Sequence, residues 1–213
     1  MTMQLTGMLD SPFVRRVAVA LLKWGLPFTH RPVSLFRHID AFTQINPMLK
    51  APTLTVGGVA LMESNVILEY LAAANPGLPG LWPADPAARL AAARLAGVAL
   101  TLGEKAVQLH YERMLRPPEA QHEPWRARVA LQFDAAVKAL EAELPKAGWI
   151  GGGGLGHADI AVTCMAGFAR AQFPERLGDV ANPNLLAFCA RAEALPEFLA
   201  SLALDGASVA FPS

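Results

Sequence analysis

Only two cysteines, Cys164 and Cys189, occur among the 213 residues. Two cannot build a disulfide framework, and both sit in helix-like surroundings as small apolar residues. A reducing, cytoplasmic setting is the expectation. Tyrosine is as scarce: Tyr70 and Tyr111 are the only two, so none stands near the N-terminus. Charge of one sign is missing too, with 18 Lys and Arg against 18 Asp and Glu. A nucleic-acid binder needs a basic surface to displace counterions from phosphates, so that class is not expected. Long apolar runs are absent, although 53% of residues are hydrophobic and mean hydropathy is +0.31. The two most apolar stretches, 95–102 and 160–169, are flanked by Arg94, Glu104, Asp159 and Arg170. Both fall well short of the roughly 20 residues a spanning helix requires, so they read as buried helices and no membrane association is expected. The first ten residues lack the basic start and apolar core of a signal peptide. The five histidines show no metal-ligand spacing, and no metal is expected. The four glycines at 151–154 lack the Gly-Lys-Ser/Thr of a phosphate loop and read as a turn.

What is present divides into two textures. The first half alternates short strand-like and helix-like pieces. Residues 3–7 read as a strand, and Ser11-Pro12 opens a helix to about Trp24, since Ser caps and Pro suits the first turn. Gly25 and Pro27 end it, 28–33 reads as a second strand, and a short helix is expected near 36–43. Residues 53–56 and 59–61 flank Gly57-Gly58, a two-residue hairpin signal. Ser64 is then expected to cap a helix over 65–74. This order gives a mixed sheet with helices packed on it. Residues 75–86 hold four prolines and two glycines and read as a domain boundary. Beyond it the pattern is helical throughout, over 87–115, 123–144, 156–173 and 183–195. The domains are therefore set at 1–76 and 87–213.

Three short segments of the first half carry chemistry. In Ser11-Pro12-Phe13-Val14-Arg15-Arg16 the serine stands between strand and helix, at the positive end of the helix. Such a serine is most often a simple cap, but the same position suits a hydroxyl aimed at a bound anion. No base lies nearby in sequence, which disfavours a serine nucleophile. In the segment from Asn46 to Leu54, Pro52 precedes a strand. If its peptide bond is cis, the backbone of Ala51 is turned outward and can pair with a peptide as a strand would. Lys50 beside it reads by itself as a solvated cation. Glu63-Ser64 precedes another helix, whose free N–H groups can hold a carboxylate, with Glu63 beside them for an amino group. Arg15 and Arg16 are expected to be solvated or paired with acids of the second domain. His38 reads as a surface histidine.

Taken together and in this order, these segments resemble the cytosolic glutathione S-transferase superfamily, in particular bacterial, serine-type members. The resemblance covers essentially the whole chain and is strongest over 11–71. It implies an α/β N-terminal thioredoxin-like domain followed by an all-helical (all-α) C-terminal domain. Ser11 would take the catalytic hydroxyl position. Phe13, Lys50, Ala51, Pro52, Glu63 and Ser64 would bind glutathione as co-substrate, the Glu–Ser pair holding its γ-glutamyl end. Leu9, His110, Tyr111 and Met114 would border a pocket for a hydrophobic electrophile, with Phe13 helping to close it. For each of these pocket residues plain packing competes equally. Gly156-His157-Ala158-Asp159 resembles the family's helix-capping box, with Gly156 where Ser or Thr is usual. The resemblance also implies a homodimer. Lack of an N-terminal tyrosine excludes the tyrosine-type classes. Ser-Pro-Phe looks like the Cys-Pro-Phe of omega-type members without its thiol, and the Ser-Ser-Cys-Ser pattern of zeta-type isomerases is absent.

The activity so implied is conjugation of the glutathione thiolate to an electrophile. Two alternatives stay open on the sequence. One is a non-catalytic binding module on the same fold. The other is a different glutathione-dependent reaction, such as peroxide reduction, dehalogenation or isomerisation.

Overall fold

The computed structural model describes residues 2–204 and 206–209. The chain divides into two compact units, one made of Met1–Gly80 with Ala194–Ser213, the other of Leu81–Glu193.

The first unit is built on a four-stranded sheet. Its strands are β1 (Met3–Thr6), β2 (Thr29–Arg31), β3 (Thr53–Val56) and β4 (Val59–Met62), in the order β2-β1-β3-β4. Helix α1 (Pro12–Lys23) makes the crossover that lets β1 and β2 pair in parallel. β3 runs antiparallel to β1, and β4 returns antiparallel beside β3. The turn between them is Gly57-Gly58, with φ of 56° and 86°. Two consecutive residues at positive φ match the twist of the flanking strands, and only glycine adopts this without steric penalty. Helix α2 (Ile39–Thr43) is shorter than the expected span, and α3 (Ser64–Ala74) follows β4. α1 and α3 pack together beside the sheet. Leu5, Val14, Val17, Leu21, Leu54, Ile67 and Leu71 form its fully buried interior. Every residue of α1 from Val14 to Leu21 is buried, so this helix has no solvated face over that span.

The described residues from Ala194 onward group with this unit. Helix α8 (Pro196–Leu199) packs on α1. Arg15 donates from Nε to the Ser201 carbonyl at 2.6 Å and from Nη2 to the Phe198 carbonyl at 3.3 Å. Its guanidinium also lies over the Phe198 ring, 5.3 Å from the centroid. Such a contact adds to the bond energies when desolvated.

The second unit is helical: α4 (Pro86–Leu115), α5 (Glu123–Glu143), α6 (His157–Gln172) and α7 (Pro183–Glu193), with a 3₁₀ turn at Pro118–Ala120. α6 is its core helix, since Ile160, Ala161, Val162, Cys164, Met165, Ala166 and Ala169 are all buried. It packs on α4 and α7. Gly103 of α4 permits the close approach to α6, because a methyl group there would collide with Met165. Among the described residues, no helix is long and apolar enough to cross a membrane. Cys164 and Cys189 are both buried and unbridged, in accord with the reading of small core residues.

Candidate functional site

Register brings the three sequence segments to one edge of the sheet. Thr6 pairs with Thr53, and Thr53 pairs with Met62. β1 ends at Thr6, β3 begins at Thr53 and β4 ends at Met62, so the chain leaves or enters all three strands at the same edge. The loop to Ser11, the Lys50-Ala51-Pro52 segment and Glu63-Ser64 are therefore neighbours. Gly7 tightens the arrangement: at φ 138° it carries no Cβ, which would lie 2.6 Å from Val14 Cγ2 and 3.2 Å from Ala51 Cβ.

Ser11 is the N-cap of α1, with Pro12 at the first helical position. Its N–H donates to the Met8 carbonyl at 3.1 Å, and its own carbonyl accepts the Arg15 N–H at 3.0 Å. Its side chain makes no capping hydrogen bond. The hydroxyl, half-buried at the positive end of the helix, is thus not spent on the backbone, as an ordinary cap would be. Phe13 is half-buried in the first turn.

The second segment is held from behind by Asn46, which is fully buried. Asn46 Nδ2 donates to the Lys50 carbonyl at 3.2 Å and to Thr53 Oγ1 at 2.9 Å. Thr53 Oγ1 donates to the same carbonyl at 2.6 Å. These bonds fix the backbone on both sides of Ala51, and the Ala51–Pro52 peptide is cis. The Lys50 side chain is exposed. Asn46 begins the motif in the sequence, where nothing marks it as the residue that holds the loop.

The third segment departs from expectation. Glu63, not Ser64, is the N-cap of α3, with φ 72° and ψ 119°. Glu63 Oε2 accepts the N–H of Asn65 at 3.1 Å and of Val66 at 3.3 Å. Ser64, at the first helical position, is buried and directed to α1 instead. Its Oγ accepts from Arg16 Nη1 at 2.9 Å, and Asn65 Oδ1 accepts from Arg16 Nη2 at 2.8 Å. Arg16 is fully buried and Arg15 is 3% exposed. Both arginines are thus buried rather than solvated, and the hydrogen bonds named here tie them to the first unit. One signal was present: positions 15 and 16 interrupt a helix whose other residues to position 22 are all apolar.

The expected pocket residues fall on both units. Leu9, in the first, is fully buried. His110, Tyr111 and Met114 lie on α4 of the second. His110 is half-buried, its ring 6.0 Å from that of Phe168 in an edge-on contact, while Tyr111 and Met114 are exposed. His38 is exposed and its Nδ1 accepts the Ser34 N–H at 3.2 Å. Among the described residues, no three His, Cys, Asp or Glu side chains are grouped closely enough to hold a metal.

The capping box of α6 is present in a reduced form. Asp159 is fully buried, and its carboxylate accepts the N–H of Ile150 at 2.8 Å and of Gly156 at 2.7 Å. Gly156 has no side chain to return the bond. Space explains this residue: a Cβ would stand 2.9 Å from the Leu81 carbonyl oxygen, which accepts the His157 N–H at 2.7 Å. Burial pushes the Asp159 carboxyl up to about 6, against the Ile150 and Gly156 N–H groups and the Arg191 charge, which pull it down.

Residues 5–79 match the family model of the glutathione S-transferase N-terminal domain, and residues 123–191 that of the C-terminal domain. A probable glutathione S-transferase from Oryza sativa subsp. japonica is 33% identical over 156 residues, covering 71% of this chain and 67% of that protein. The chain belongs to the glutathione S-transferase family. Solved structures of the family are similar to it over nearly their whole length. A glutathione S-transferase from Methylobacterium radiotolerans, in complex with glutathione sulfonate, is 29% identical with a TM-score of 0.86, over 94% of both chains. Another from Methylobacillus flagellatus, with glutathione bound, is 26% identical with a TM-score of 0.82, over 92% of this chain and 97% of that one. The thioredoxin-like first domain and the helical second domain expected from the motifs are those of the family.

Proposed function

We propose that this chain is a serine-type glutathione transferase, in which Ser11 stabilises the thiolate of glutathione for attack on a hydrophobic electrophile. The observation that carries this reading is the Ser11 side chain, which caps nothing at the N-terminus of α1. A thiol with a pKa of about 8.5 is only a few per cent to a tenth ionised near neutrality. Making most of it thiolate requires a shift of about two units, or ~3 kcal/mol. A helix N-terminus supplies ~0.3–2 kcal/mol and a hydrogen bond to a charged group ~1.5–3 kcal/mol. Together they cover the requirement without a metal or a buried base. The sulfur then forms a bond to the electrophilic carbon, and the displaced group leaves with its electron pair. Proximity of the two bound partners supplies much of the remaining rate.

In this reading Ala51 pairs with the peptide backbone of glutathione, while Lys50 and Phe13 flank it. Glu63 and Ser64 hold its γ-glutamyl end. Leu9, His110, Tyr111 and Met114 border the electrophile. The enzyme works as a homodimer in the cytoplasm. The solved relatives with glutathione or its sulfonate bound support the choice of co-substrate.

Calorimetric titration with glutathione, followed by mass spectrometry of products from a panel of electrophiles, tests the reading. Ser11→Ala is expected to lower the conjugation rate about tenfold to a hundredfold, the equivalent of one charge-assisted hydrogen bond. Conjugation at the wild-type rate by this variant would remove Ser11 from the mechanism. Absence of glutathione binding by the wild type would remove the function.

A further inference from the structure

We infer that Arg16 is a positioning residue for glutathione, setting the Ser64 hydroxyl as a donor to the γ-glutamyl α-carboxylate and supplying the positive charge behind it. This inference rests on the function proposed above.

Two observations lead to it. The first is what Glu63 does to α3. A helix N-terminus attracts anions through N–H groups that have no partner within the helix. Here the Glu63 carboxylate already takes the N–H groups of Asn65 and Val66. It also brings a negative charge to the N-terminus of α3, beside Ser64. Two of the donors at the end of α3 are thus already taken, and a positive charge nearby would offset that of Glu63.

The second is Arg16, fully buried on α1 and donating to Ser64 Oγ at 2.9 Å. A guanidinium has donors only and keeps its charge. Toward Arg16, Ser64 is therefore the acceptor. A hydroxyl has one proton, so that proton must point away from Arg16. An oxygen that accepts from a cation is also a stronger donor through its own proton. The second arm of Arg16 donates to Asn65 Oδ1 at 2.8 Å, and Asn65 Nδ2 donates onward to Glu63 Oε1 at 3.4 Å. Arg16, Ser64, Asn65 and Glu63 thus form one network in which the fork of the guanidinium fixes two consecutive residues of α3. The same helix α1 carries Ser11 at its first turn. One rigid element then sets the hydroxyl at the sulfur end of glutathione and the hydroxyl at its γ-glutamyl end.

The test compares glutathione with γ-aminobutyryl-cysteinyl-glycine, which keeps the amine and lacks the carboxylate. Calorimetry gives the affinity ratio of the two peptides for each protein. Wild type is expected to favour glutathione, and Arg16→Gln is expected to reduce that preference about tenfold while binding the analogue as wild type does. A purely structural role would weaken both peptides alike. In Arg16→Gln combined with Ser64→Ala, the loss is expected to be no larger than that of the more damaging single change. Should Arg16→Gln fail to fold, Asn65→Ala at an exposed position frees one arm of the guanidinium and is expected to reduce the preference about threefold. An unchanged ratio in a folded Arg16→Gln, or in Asn65→Ala when Arg16→Gln does not fold, overturns the inference and leaves the proposed function standing. A wild-type protein that binds neither peptide overturns both.

Discussion

Asp159 Oδ2 stands 2.7 Å from the backbone nitrogen of Gly156, and this one contact closes the turn that starts α6. The carboxyl is pushed up to about 6 from an ordinary 3.8, burial being the main cause. The folded chain therefore holds a proton over this window that the unfolded chain has released. Stability from this group is complete below about pH 4 and is lost as pH rises through about 6. The gap of about two pH units corresponds to about 3 kcal/mol. Asp159→Asn cannot titrate, so its stability should lack this slope. The destabilisation it causes is expected to be largest near pH 4 and to shrink toward pH 7. Chemical unfolding of both proteins across that range measures it. A difference that grows with pH would show that the backbone donors outweigh burial.

Restoring the residue usual in the family should do harm at this turn. Gly156→Ser places a Cβ against the Leu81 carbonyl, whose bond to the His157 N–H must then stretch or break. Overpacking against backbone costs about 1–3 kcal/mol. The melting temperature is expected to fall by about 2–10 °C, read by calorimetry. An unchanged or raised value would mean that the 81–83 segment yields freely.

Local chemistry was legible in the sequence wherever one short segment determined the outcome. Gly57-Gly58 made the hairpin, Ser11-Pro12 began α1, and the proline-rich stretch at 75–86 preceded the first long helix. Boundaries fixed by partners far along the chain were not legible. Arg15 and Arg16 look like surface residues because helix propensity says nothing about what covers them. Their partners, Ser201 and Ser64, lie 186 and 48 residues away. The usual preference for serine at a cap points to Ser64, whereas a glutamate at positive φ takes the position. Phe198 and Ser201 are tied to the first unit by Arg15, a contact that no local pattern announces.

A second titrating group acts with the opposite sign. His30 Nε2 lies 2.9 Å from the Gly7 carbonyl, and Val209 donates its N–H to His30 Nδ1 at 3.3 Å. Nδ1 is thus the acceptor and Nε2 carries the proton. Burial lowers the pKa from the ordinary 6.5, partly offset by the Gly7 bond. Unfolded chain takes up this proton more readily than folded chain, so stability is present above about pH 6.5 and is lost as pH falls through the lowered value. Protonation of Nδ1 also sets two N–H groups against each other and releases Val209. Hydrogen exchange at the Val209 amide is expected to accelerate in mild acid beyond the intrinsic trend, and His30→Gln is expected to abolish that pH dependence. Equal protection at all pH values would place the hold on this segment elsewhere.

Replacing Ser11 by cysteine should change the reaction rather than abolish it. The position is the N-cap of α1, where the helix dipole favours an anion and no side-chain capping bond competes. A cysteine there gains thiolate character, as cysteines at helix N-termini do. The variant thiolate attacks a glutathione mixed disulfide, releasing the substrate thiol and forming an enzyme–glutathione disulfide. A second glutathione then resolves it, leaving oxidised glutathione and the free enzyme thiol. Ser11→Cys is therefore expected to reduce a glutathionylated peptide at the expense of glutathione, an activity wild type should lack. Its conjugation rate should fall at least tenfold, because a neighbouring thiolate repels the glutathione anion instead of donating to it. Coupled glutathione-reductase kinetics read the first and product mass spectrometry the second. If the variant keeps full conjugation and gains no exchange, residue 11 does not face the sulfur.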